Sequence, residues 1–377
     1  MEKFEQLISD LVSINSVNPD LINGAPGEAQ IAHFIAQWLE RNGLDVQVIN
    51  SVSGRPNVVG IAHGLGGGRT LLLNGHMDTV GTGRMAHPLE PVIKEGRLSG
   101  RGAYDMKGGL AACMVAVAEA SRLNLSGDVI FTAVVDEENA SLGTQELIKH
   151  IHADGAIVAE FTELQLVLAH RGFALFEIET LGQAAHGSRP DLGTDAIVKM
   201  GKFLVDLEKL DQDLRSHLTH PLLGSGSVHA SLIHGGNEVS TYPDQCVLTV
   251  ERRTIPGESP EKVESELSEI IEKIQQLDSS FRAVIRRGFD RSPMETPEES
   301  GIVKAVQSAA IKLLKRSLPI SGVSYWSDAA LLSSVGIPSV LLGPSGSGAH
   351  ADEEWVDLSS VKMCADIYLA TAKEFCS

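Results

Sequence analysis

The sequence is poor in cysteine and has no long apolar run. Its four cysteines, Cys113, Cys246, Cys364 and Cys376, are scattered without a CxxC pair, which argues against a thiolate metal site or a disulfide framework. No apolar stretch approaches the roughly 18 to 20 residues that a membrane-spanning helix needs. The segment 1–19 has neither a basic start nor an apolar core, so we expect no secretory signal and a cytoplasmic location.

Positive charge is also scarce. The 377 residues include 31 Lys and Arg against 49 Asp and Glu, which leaves a formal charge of −18. An acidic surface repels phosphate backbones and anionic lipids, so binding to nucleic acid or to a membrane surface is not expected. The same field opposes a small anionic substrate unless local cations outweigh it.

The hydrophobic pattern predicts two domains. Up to residue 170, helical segments alternate with fully apolar runs, which indicates an α/β fold whose mostly parallel sheet is covered by helices. Between residues 171 and 284 the order β-α-β-β-α-β indicates a smaller, ferredoxin-like α+β layer, and α/β character resumes at 285. We therefore predict one α/β domain, 1–170 and 285–377, interrupted by an inserted α+β domain, 171–284.

Acidic and histidine side chains follow the predicted parallel strands, where open α/β sheets bind ligands. His76 and Asp78 are one residue apart, so an extended backbone directs both to the same side. Asp78 could then accept a hydrogen bond from the ring of a metal-bound His76. Asp136, Glu137 and Glu138 close another strand, and three adjacent carboxylates repel one another unless a cation neutralises them.

Further candidate ligands lie in glycine-rich loops or at strand ends. They are Asp105, Glu160 and His350. Two histidines with several carboxylates suit zinc, cobalt or manganese better than magnesium, because imidazole favours those metals. Two ions roughly 3.5 to 4 Å apart would share one carboxylate, while another Glu would stay free to take a proton from water. The run Gly64–Gly68 lacks a following Lys-Ser/Thr and precedes a strand, so it predicts a hairpin rather than a phosphate loop.

Five segments, in chain order, carry a resemblance to a known family. They are Gly75-His76-Met77-Asp78-Thr79-Val80, Gly102-Ala103-Tyr104-Asp105-Met106-Lys107-Gly108-Gly109, Asp136-Glu137-Glu138, Ala159-Glu160-Phe161-Thr162 and Ala349-His350-Ala351-Asp352-Glu353. Together they resemble the M20 metallopeptidase family, which contains acetylornithine deacetylase, succinyl-diaminopimelate desuccinylase, aminoacylase-1 and glutamate carboxypeptidase. The resemblance spans essentially the whole chain. It implies a zinc-peptidase-like fold and two Zn²⁺ ions, with Co²⁺ or Mn²⁺ as possible substitutes.

The resemblance also implies a ligand set in which Asp105 bridges the two ions. The other implied ligands are His76 and Glu160 at the first site, then Glu138 and His350 at the second. Glu137 would be the general base, and Asp78 would orient the first histidine. A non-proline cis peptide bond after Asp105 is implied as well.

The inserted domain matches family positions that contact the substrate. The segment 180–190 is similar to one whose histidine, here His186, reaches the active site of the other subunit and stabilises the oxyanion. This implies a homodimer through the inserted domain, which would act as a dimerisation and lid domain. Arg253 would clamp a substrate carboxylate through two hydrogen bonds, with Arg252 as a competitor on the opposite strand face. Asn237 would contact the substrate, or else be a plain turn asparagine.

These observations favour a dinuclear zinc-dependent amidohydrolase that cleaves an N-acyl amino acid, as acetylornithine deacetylase does. A carboxypeptidase or dipeptidase like glutamate carboxypeptidase is an alternative on the same site. A succinyl-diaminopimelate desuccinylase is another, although it would need extra cations for a second carboxylate. A metal-free binding homologue is also conceivable, but the intact ligand set argues against it. The expected partner is a small N-acyl amino acid or a short peptide.

Overall fold

The computed structural model describes residues 2–52 and 54–377, which form two compact units. The first unit consists of three pieces of chain, Met1–Leu168, Thr296–Ser321 and Ser327–Ser377. The second consists of Ala169–Glu295 and Gly322–Trp326.

Helices and strands are numbered along the chain. The helices are α1 (Glu2–Ser13), α2 (Ala29–Arg41), α3 (Gly108–Ala120), α4 (Leu142–Leu147), α5 (Ala196–Ser216), α6 (Pro260–Leu277), α7 (Gly301–Leu314), α8 (Ala329–Ser334) and α9 (Leu358–Phe375), with a π-helical turn at Ala103–Lys107. The strands are β1 (Asp45–Val52), β2 (Arg55–Ala62), β3 (Leu71–His76), β4 (Val92–Lys94), β5 (Arg97–Ser99), β6 (Val129–Val134), β7 (Gly155–Val158), β8 (Leu166–His170), β9 (Gly172–Leu181), β10 (Ser227–Gly235), β11 (Gln245–Thr254), β12 (Ala283–Arg291), β13 (Met294–Glu295), β14 (Ile320–Val323), β15 (Ser339–Leu341), β16 (Gly346–Ser347) and β17 (Trp355–Asp357).

The first unit is built on a mixed sheet whose centre is parallel. Its order is β1-β2-β6-β3-β7-β15-β8. The neighbours β6, β3, β7 and β15 run parallel, whereas β1, β2 and β8 are antiparallel to their partners. Every residue of the four parallel strands is buried, as expected where helices cover both faces of a sheet. The predicted α/β fold is thereby confirmed.

A second, small sheet in this unit is not predicted by the sequence pattern. Its order is β16-β17-β5-β4, and all of its pairs are antiparallel. The hairpin predicted at Gly64–Gly68 is wrong, because the strands on either side of this run, β2 and β3, pair with β6 and not with each other. A glycine run before a strand indicates a turn, but it does not show which strands the turn connects.

The second unit is an antiparallel sheet with two helices. The sheet order is β10-β11-β9-β12, and the helices α5 and α6 lie between the strands in the predicted β-α-β-β-α-β sequence. Phe176, Phe203 and Leu267 are fully buried members of the core that joins sheet and helices. The boundary expected at residue 284 falls inside β12, which pairs with β9 from Ala283 to Arg291, so the unit continues to Glu295.

Two further expectations concern cysteines and membrane spans. All four cysteines are free thiols in buried positions. Across residues 2–52 and 54–377, none of the helices has both the length and the apolar character needed to cross a bilayer.

Candidate metal centre

The candidate ligands gather where the four parallel strands of the first unit end. His76 is the last residue of β3, Glu137 and Glu138 follow β6, and Glu160 comes two residues after β7. His350 lies in the loop between β16 and β17. Because adjacent parallel strands end at one edge of a sheet, residues distant in sequence meet there.

Asp105 lies between the two candidate histidines. Its Oδ1 is 3.1 Å from Nε2 of His76, and its Oδ2 is 3.1 Å from Nε2 of His350. Glu160 Oε1 is 3.7 Å from the His76 nitrogen, and Glu138 Oε2 is 3.0 Å from the His350 nitrogen. The structure therefore places the Asp105 carboxylate between two pairs of side chains, His76 with Glu160 and His350 with Glu138. All five predicted ligands lie together.

Asp105 belongs to the π-helical turn that leads into α3. The peptide bond between Asp105 and Met106 is cis, as the resemblance implies. Gly102, at the start of the turn, has a φ of 78°, a conformation that favours glycine. A Cβ atom on Gly109 would lie 2.0 Å from the carbonyl oxygen of Ala159. Glycine therefore allows the start of α3 to approach the segment that carries Glu160.

Asp78 contributes differently from what its spacing suggests. Nδ1 of His76 is 2.9 Å from the backbone carbonyl oxygen of Asp78 and 3.5 Å from its Oδ1. The carbonyl is the nearer acceptor, and by accepting from Nδ1–H it fixes the ring so that Nε2 faces Asp105. The Asp78 carboxylate instead accepts the backbone N–H groups of Glu137 and Glu138, at 3.1 and 3.2 Å.

A buried polar network supports this turn. The Asn18 side chain donates to Asp78 Oδ2 at 2.7 Å and to Asp136 Oδ1 at 3.0 Å. Arg55 also donates to Asp136, and it binds the buried Glu28 through two hydrogen bonds. Asp136 has a φ of 67°, in the left-handed region. Because its carboxylate is held from two sides, the chain turns sharply just before Glu137.

The carboxylates of the centre are crowded and poorly solvated. Burial, reinforced by neighbouring acids, raises the pKa of Glu160 to about 8 and raises the pKa values of Glu137 and Glu138. Burial opposes ionisation of Asp105 too, but hydrogen bonds from His350 and His76 hold its pKa below the usual range. Hydrogen bonds to Asp105 and Glu138 raise the pKa of His350 to about 10.

These residues fit divalent cations. Two groups, His76 with Glu137 and Glu160 and His76 with Asp105 and Glu138, have candidate ligand atoms within 4.8 Å of one another. Within the described part of the chain, Glu138 Oε1 is buried without a hydrogen-bond partner. A buried carboxylate oxygen without a donor is costly, and a metal ion would satisfy it. Imidazole with carboxylate is also the donor set that zinc and related ions prefer.

The three predicted substrate residues belong to the second unit. His186 Nδ1 accepts the backbone N–H of Ser188 at 3.2 Å; a neutral ring would then carry its proton on Nε2, as a donor to an oxyanion must. Arg253 is 35% exposed and pairs with Glu251 at 2.6 Å. Arg252 is fully buried and pairs with two glutamates, Glu258 and Glu266. Asn237 is exposed in the loop after β10.

Sequence reasoning missed Glu354 and Asn18. Glu354 ends the acidic run 352–354, where nothing in the sequence separates it from its two exposed neighbours. Asn18 is 60 residues from Asp78, and a single asparagine in a Pro/Gly-rich segment is typical of a turn. Only the folded chain shows that both side chains are buried beside the candidate ligands.

An α/β sheet with imidazole and carboxylate groups gathered at its strand ends is the architecture of metal-dependent hydrolases that act on amide or peptide bonds. The chain matches the model of the peptidase family M20/M25/M40 over residues 72–374. It belongs to this family, and the resemblance seen in the sequence is confirmed.

Individual relatives cover nearly the whole chain. An acetylornithine deacetylase of Myxococcus xanthus is 30% identical over 383 residues, covering 98% of this chain and 96% of that protein. An N-formyl-4-amino-5-aminomethyl-2-methylpyrimidine deformylase of Bacillus subtilis (strain 168) is 28% identical over 412 residues, covering 100% and 95%. Among solved structures, the Bacillus subtilis YXEP protein, a dinuclear metal binding peptidase from the M20 family, superposes with a TM-score of 0.78 at 15% identity, covering 100% and 99%.

Proposed function

We propose that this protein is a dinuclear zinc-dependent amidohydrolase that removes the acyl group from an N-acyl amino acid. The observation that carries the proposal is the position of Asp105, whose two oxygens each lie 3.1 Å from a different histidine. Two relatives similar over nearly their full length, a deacetylase and a deformylase, are both named for removing a small acyl group. Cleavage of an N-acyl amide is therefore favoured over cleavage of a peptide.

The first unit would hold the ions and supply the base. His76, Glu160, Glu138 and His350 would each bind one ion, and Asp105 would bind both. Bound ions would supply Lewis acidity toward the amide carbonyl and the attacking water. Glu137 would take a proton from that water and deliver it to the leaving amine, a role suited to a carboxyl whose pKa is raised by burial.

The second unit would recognise the substrate. Arg253 is the better candidate for holding the α-carboxylate, because the guanidinium of Arg252 is buried and already paired with glutamates. The Nε2–H of His186 would stabilise the oxyanion, and Asn237 would contact the substrate.

A homodimer is part of this proposal. β10 lies at the edge of its sheet, and its residues Leu232 and Ile233 are 61% and 48% exposed. On α5, Val198 and Val205 are 60% and 54% exposed. An exposed apolar strand edge is a template for pairing with another chain. Pairing of two copies along β10 would cover these side chains, and light scattering after gel filtration tests it: a monomer at micromolar concentration would contradict the dimer.

Hydrolysis of N-acetyl, N-succinyl and N-formyl amino acids beside dipeptides, with zinc and with cobalt, tests the reaction. We expect the highest kcat/KM on an N-acyl amino acid. A preference for dipeptides would favour the carboxypeptidase or dipeptidase alternative, and a preference for succinyl substrates would favour the desuccinylase. Failure to bind two ions per chain would favour the binding homologue. A cytoplasmic location remains a prediction, which fractionation of the source cells would test.

The variant Glu137→Gln tests the proposed base. It should bind two ions and lose turnover by at least about 100-fold, the lower end of what a general base contributes. Glu299→Gln, at an exposed position outside the centre, serves as the matched control. Normal kcat in Glu137→Gln would contradict the assignment of the base.

A further inference from the structure

Glu354 is a buried carboxylate that the proposed mechanism does not use. Its residue is only 2% exposed, and it directly precedes β17. Because β17 pairs with β5, the backbone position of Glu354 is fixed relative to the chain that leaves β5 and enters the Asp105 turn.

Both oxygens of the Glu354 carboxylate accept hydrogen bonds from that turn. Oε1 accepts the backbone N–H groups of Tyr104, at 2.9 Å, and of Asp105, at 3.1 Å. Oε2 accepts the backbone N–H of Gly102 at 3.0 Å and a guanidinium N–H of Arg101 at 2.7 Å. All four donors therefore come from residues 101–105.

The need for a carboxylate follows from the shape of the turn. Buried backbone N–H groups need acceptors, and because Asp105 and Met106 depart from helical φ and ψ, a regular helical pattern does not supply them here. The π-helical turn 103–107 runs directly into α3 and has no side-chain cap of its own. Glu354 satisfies these donors from a distant part of the chain, and the buried Arg101 offsets its charge.

The same contacts reach the chain next to His350. Arg101 also donates to the carbonyl oxygen of Ala351, at 2.9 Å, next to His350. The position of Asp105 between His76 and His350 thus depends on a backbone that Glu354 holds at three N–H groups. A shift of that backbone would move both Asp105 oxygens at once.

We propose that Glu354 is a positioning residue for the metal centre, and that it fixes the Asp105 turn so that each oxygen of Asp105 faces a separate ion. The inference rests on the proposed dinuclear centre. It assigns Glu354 neither a bond to metal nor a contact with substrate. Its specific consequence is that loss of the Glu354 contacts lowers the affinity for both ions. Loss of a ligand to one ion, such as Glu160, lowers chiefly the affinity for that ion.

The test is a metal titration of the metal-free proteins with Co²⁺ and Zn²⁺ against a chromophoric chelator. Glu354→Asp keeps the charge but shortens the side chain by about 1.5 Å, so it cannot reach all four donors. Glu354→Gln keeps the reach but loses the charge. Glu353→Gln, at the exposed neighbouring residue, is the matched control, and Glu160→Gln is the one-site reference.

We expect both Glu354 variants to bind both ions about 10- to 100-fold more weakly than the wild type, as for other residues that orient metal ligands. The Co²⁺ absorption spectrum should change in both variants, and the control should bind like the wild type. Wild-type affinity in Glu354→Asp would overturn the inference, because charge alone would then suffice.

Folding is checked by the far-UV circular dichroism of each metal-free variant. If one variant loses the wild-type spectrum, the other decides the result. If both lose it, Glu354 is a general folding residue and the inference is overturned. A wild-type protein that fails to bind two ions would refute the proposed function itself, which separates that failure from failure of the role given to Glu354.

Discussion

The side-chain amide of Asn18 donates hydrogen bonds to two buried carboxylates and lies between them. Its Nδ2 donates to Asp78 and to Asp136, and all three residues are at most 1% exposed. The Asp78 carboxylate accepts the backbone N–H groups of Glu137 and Glu138, and Asp136 accepts the backbone N–H of Leu142. A neutral double donor is the only kind of group that can bridge these two acids without adding charge to the site.

Replacement of Asn18 by aspartate should therefore be severely destabilising. Asn18→Asp would place a third carboxylate beside two others and remove both donors, and we expect a loss of about 3 kcal/mol or more in the free energy of unfolding. Urea denaturation measures this loss. Asn15→Asp is the matched control, because the Asn15 side-chain oxygen accepts from Val17 N–H and a carboxylate oxygen can do the same; an equal loss in both variants would refute this account of Asn18.

Without metal, the ionised carboxylates of the candidate centre lower the free energy of unfolding. Burial and neighbouring acids raise the pKa of Glu160 to about 8, so without metal its ionised form opposes folding increasingly as pH rises from the unfolded value toward 8. Glu160→Gln should raise the thermal midpoint of the metal-free protein at pH 8 and lower that of the zinc-loaded protein. Calorimetry with and without zinc measures both, with Glu299→Gln as the control; a fall in both states would show that Glu160 is needed for packing alone.

At the residue scale the sequence is informative about ligands and silent about their supports. His76, Asp105 and Glu160 stand beside strand ends or glycines, which makes them candidate ligands, and the family resemblance implies the ligand set. Glu354 and Asn18 carry no such signal, because their partners are fixed by strand pairing and by chain reversals far along the sequence. The spacing of His76 and Asp78 does not show that the Asp78 backbone carbonyl, at 2.9 Å, lies nearer to Nδ1 of His76 than the predicted carboxylate oxygen, at 3.5 Å.

Among the secondary-structure elements, α6 is one whose start and end can be predicted from the sequence pattern. The amphipathic pattern of the sequence predicts a helix from Pro260 to Leu277, and α6 has these bounds. The Ser259 side chain accepts the backbone N–H of Lys262, and proline occupies the first helical position. The strands β4, β5, β16 and β17 have only two or three residues each, which is too short for an alternating pattern to appear.

Ion pairs join the residue that follows α6, Asp278, to two lysines of α5. Asp278 accepts hydrogen bonds from Lys199 at 2.6 Å and from Lys202 at 2.7 Å. These two ammonium groups hold the pKa of Asp278 well below its usual range. Because the folded-state pKa is depressed, the stabilisation is present above the unfolded value of about 3.9 and is lost as pH falls through the folded value.

Asp278→Asn should therefore destabilise the protein at pH 7, and the loss should shrink as pH falls below about 4. The effect at pH 7 should be modest and should shrink in 1 M salt, because surface ion pairs are screened. Urea midpoints at a series of pH values measure it. Asp213→Asn, at an exposed position of α5, is the matched control; a loss for Asp278→Asn that stays constant down to pH 2 would exclude the ion pair as its cause.

For the whole molecule, a formal charge of −18 would repel the proposed substrate, which carries a carboxylate. Two divalent ions would reduce it only to about −14. Local cations must therefore attract the substrate carboxylate, and Arg253 is the proposed one. Its present partner is Glu251, at 2.6 Å, so the substrate carboxylate would have to compete with that acid for the guanidinium.

Arg253→Ala should raise KM for N-acyl amino acids about 10- to 100-fold, the worth of a charged hydrogen-bonded contact. Arg253→Lys should recover only part of this loss, because an ammonium cannot form the two parallel bonds. Steady-state kinetics on an N-acyl amino acid and on its carboxamide analogue provide the measurement. The analogue lacks the carboxylate, so equal losses on both compounds would show that Arg253 does not bind it.

The place of β15 in the sheet affects how the protein can be made. β15 lies between β7 and β8, and Ser339 pairs with Ala156 across a stretch of chain that includes most of the second unit. Until residues 339–341 leave the ribosome, β7 and β8 lack the strand that separates them, and their apolar edges are open to other chains. The first unit therefore cannot complete its sheet until late in its own synthesis, and before then we expect the edges of β7 and β8 to be the places where an unfinished chain associates with others.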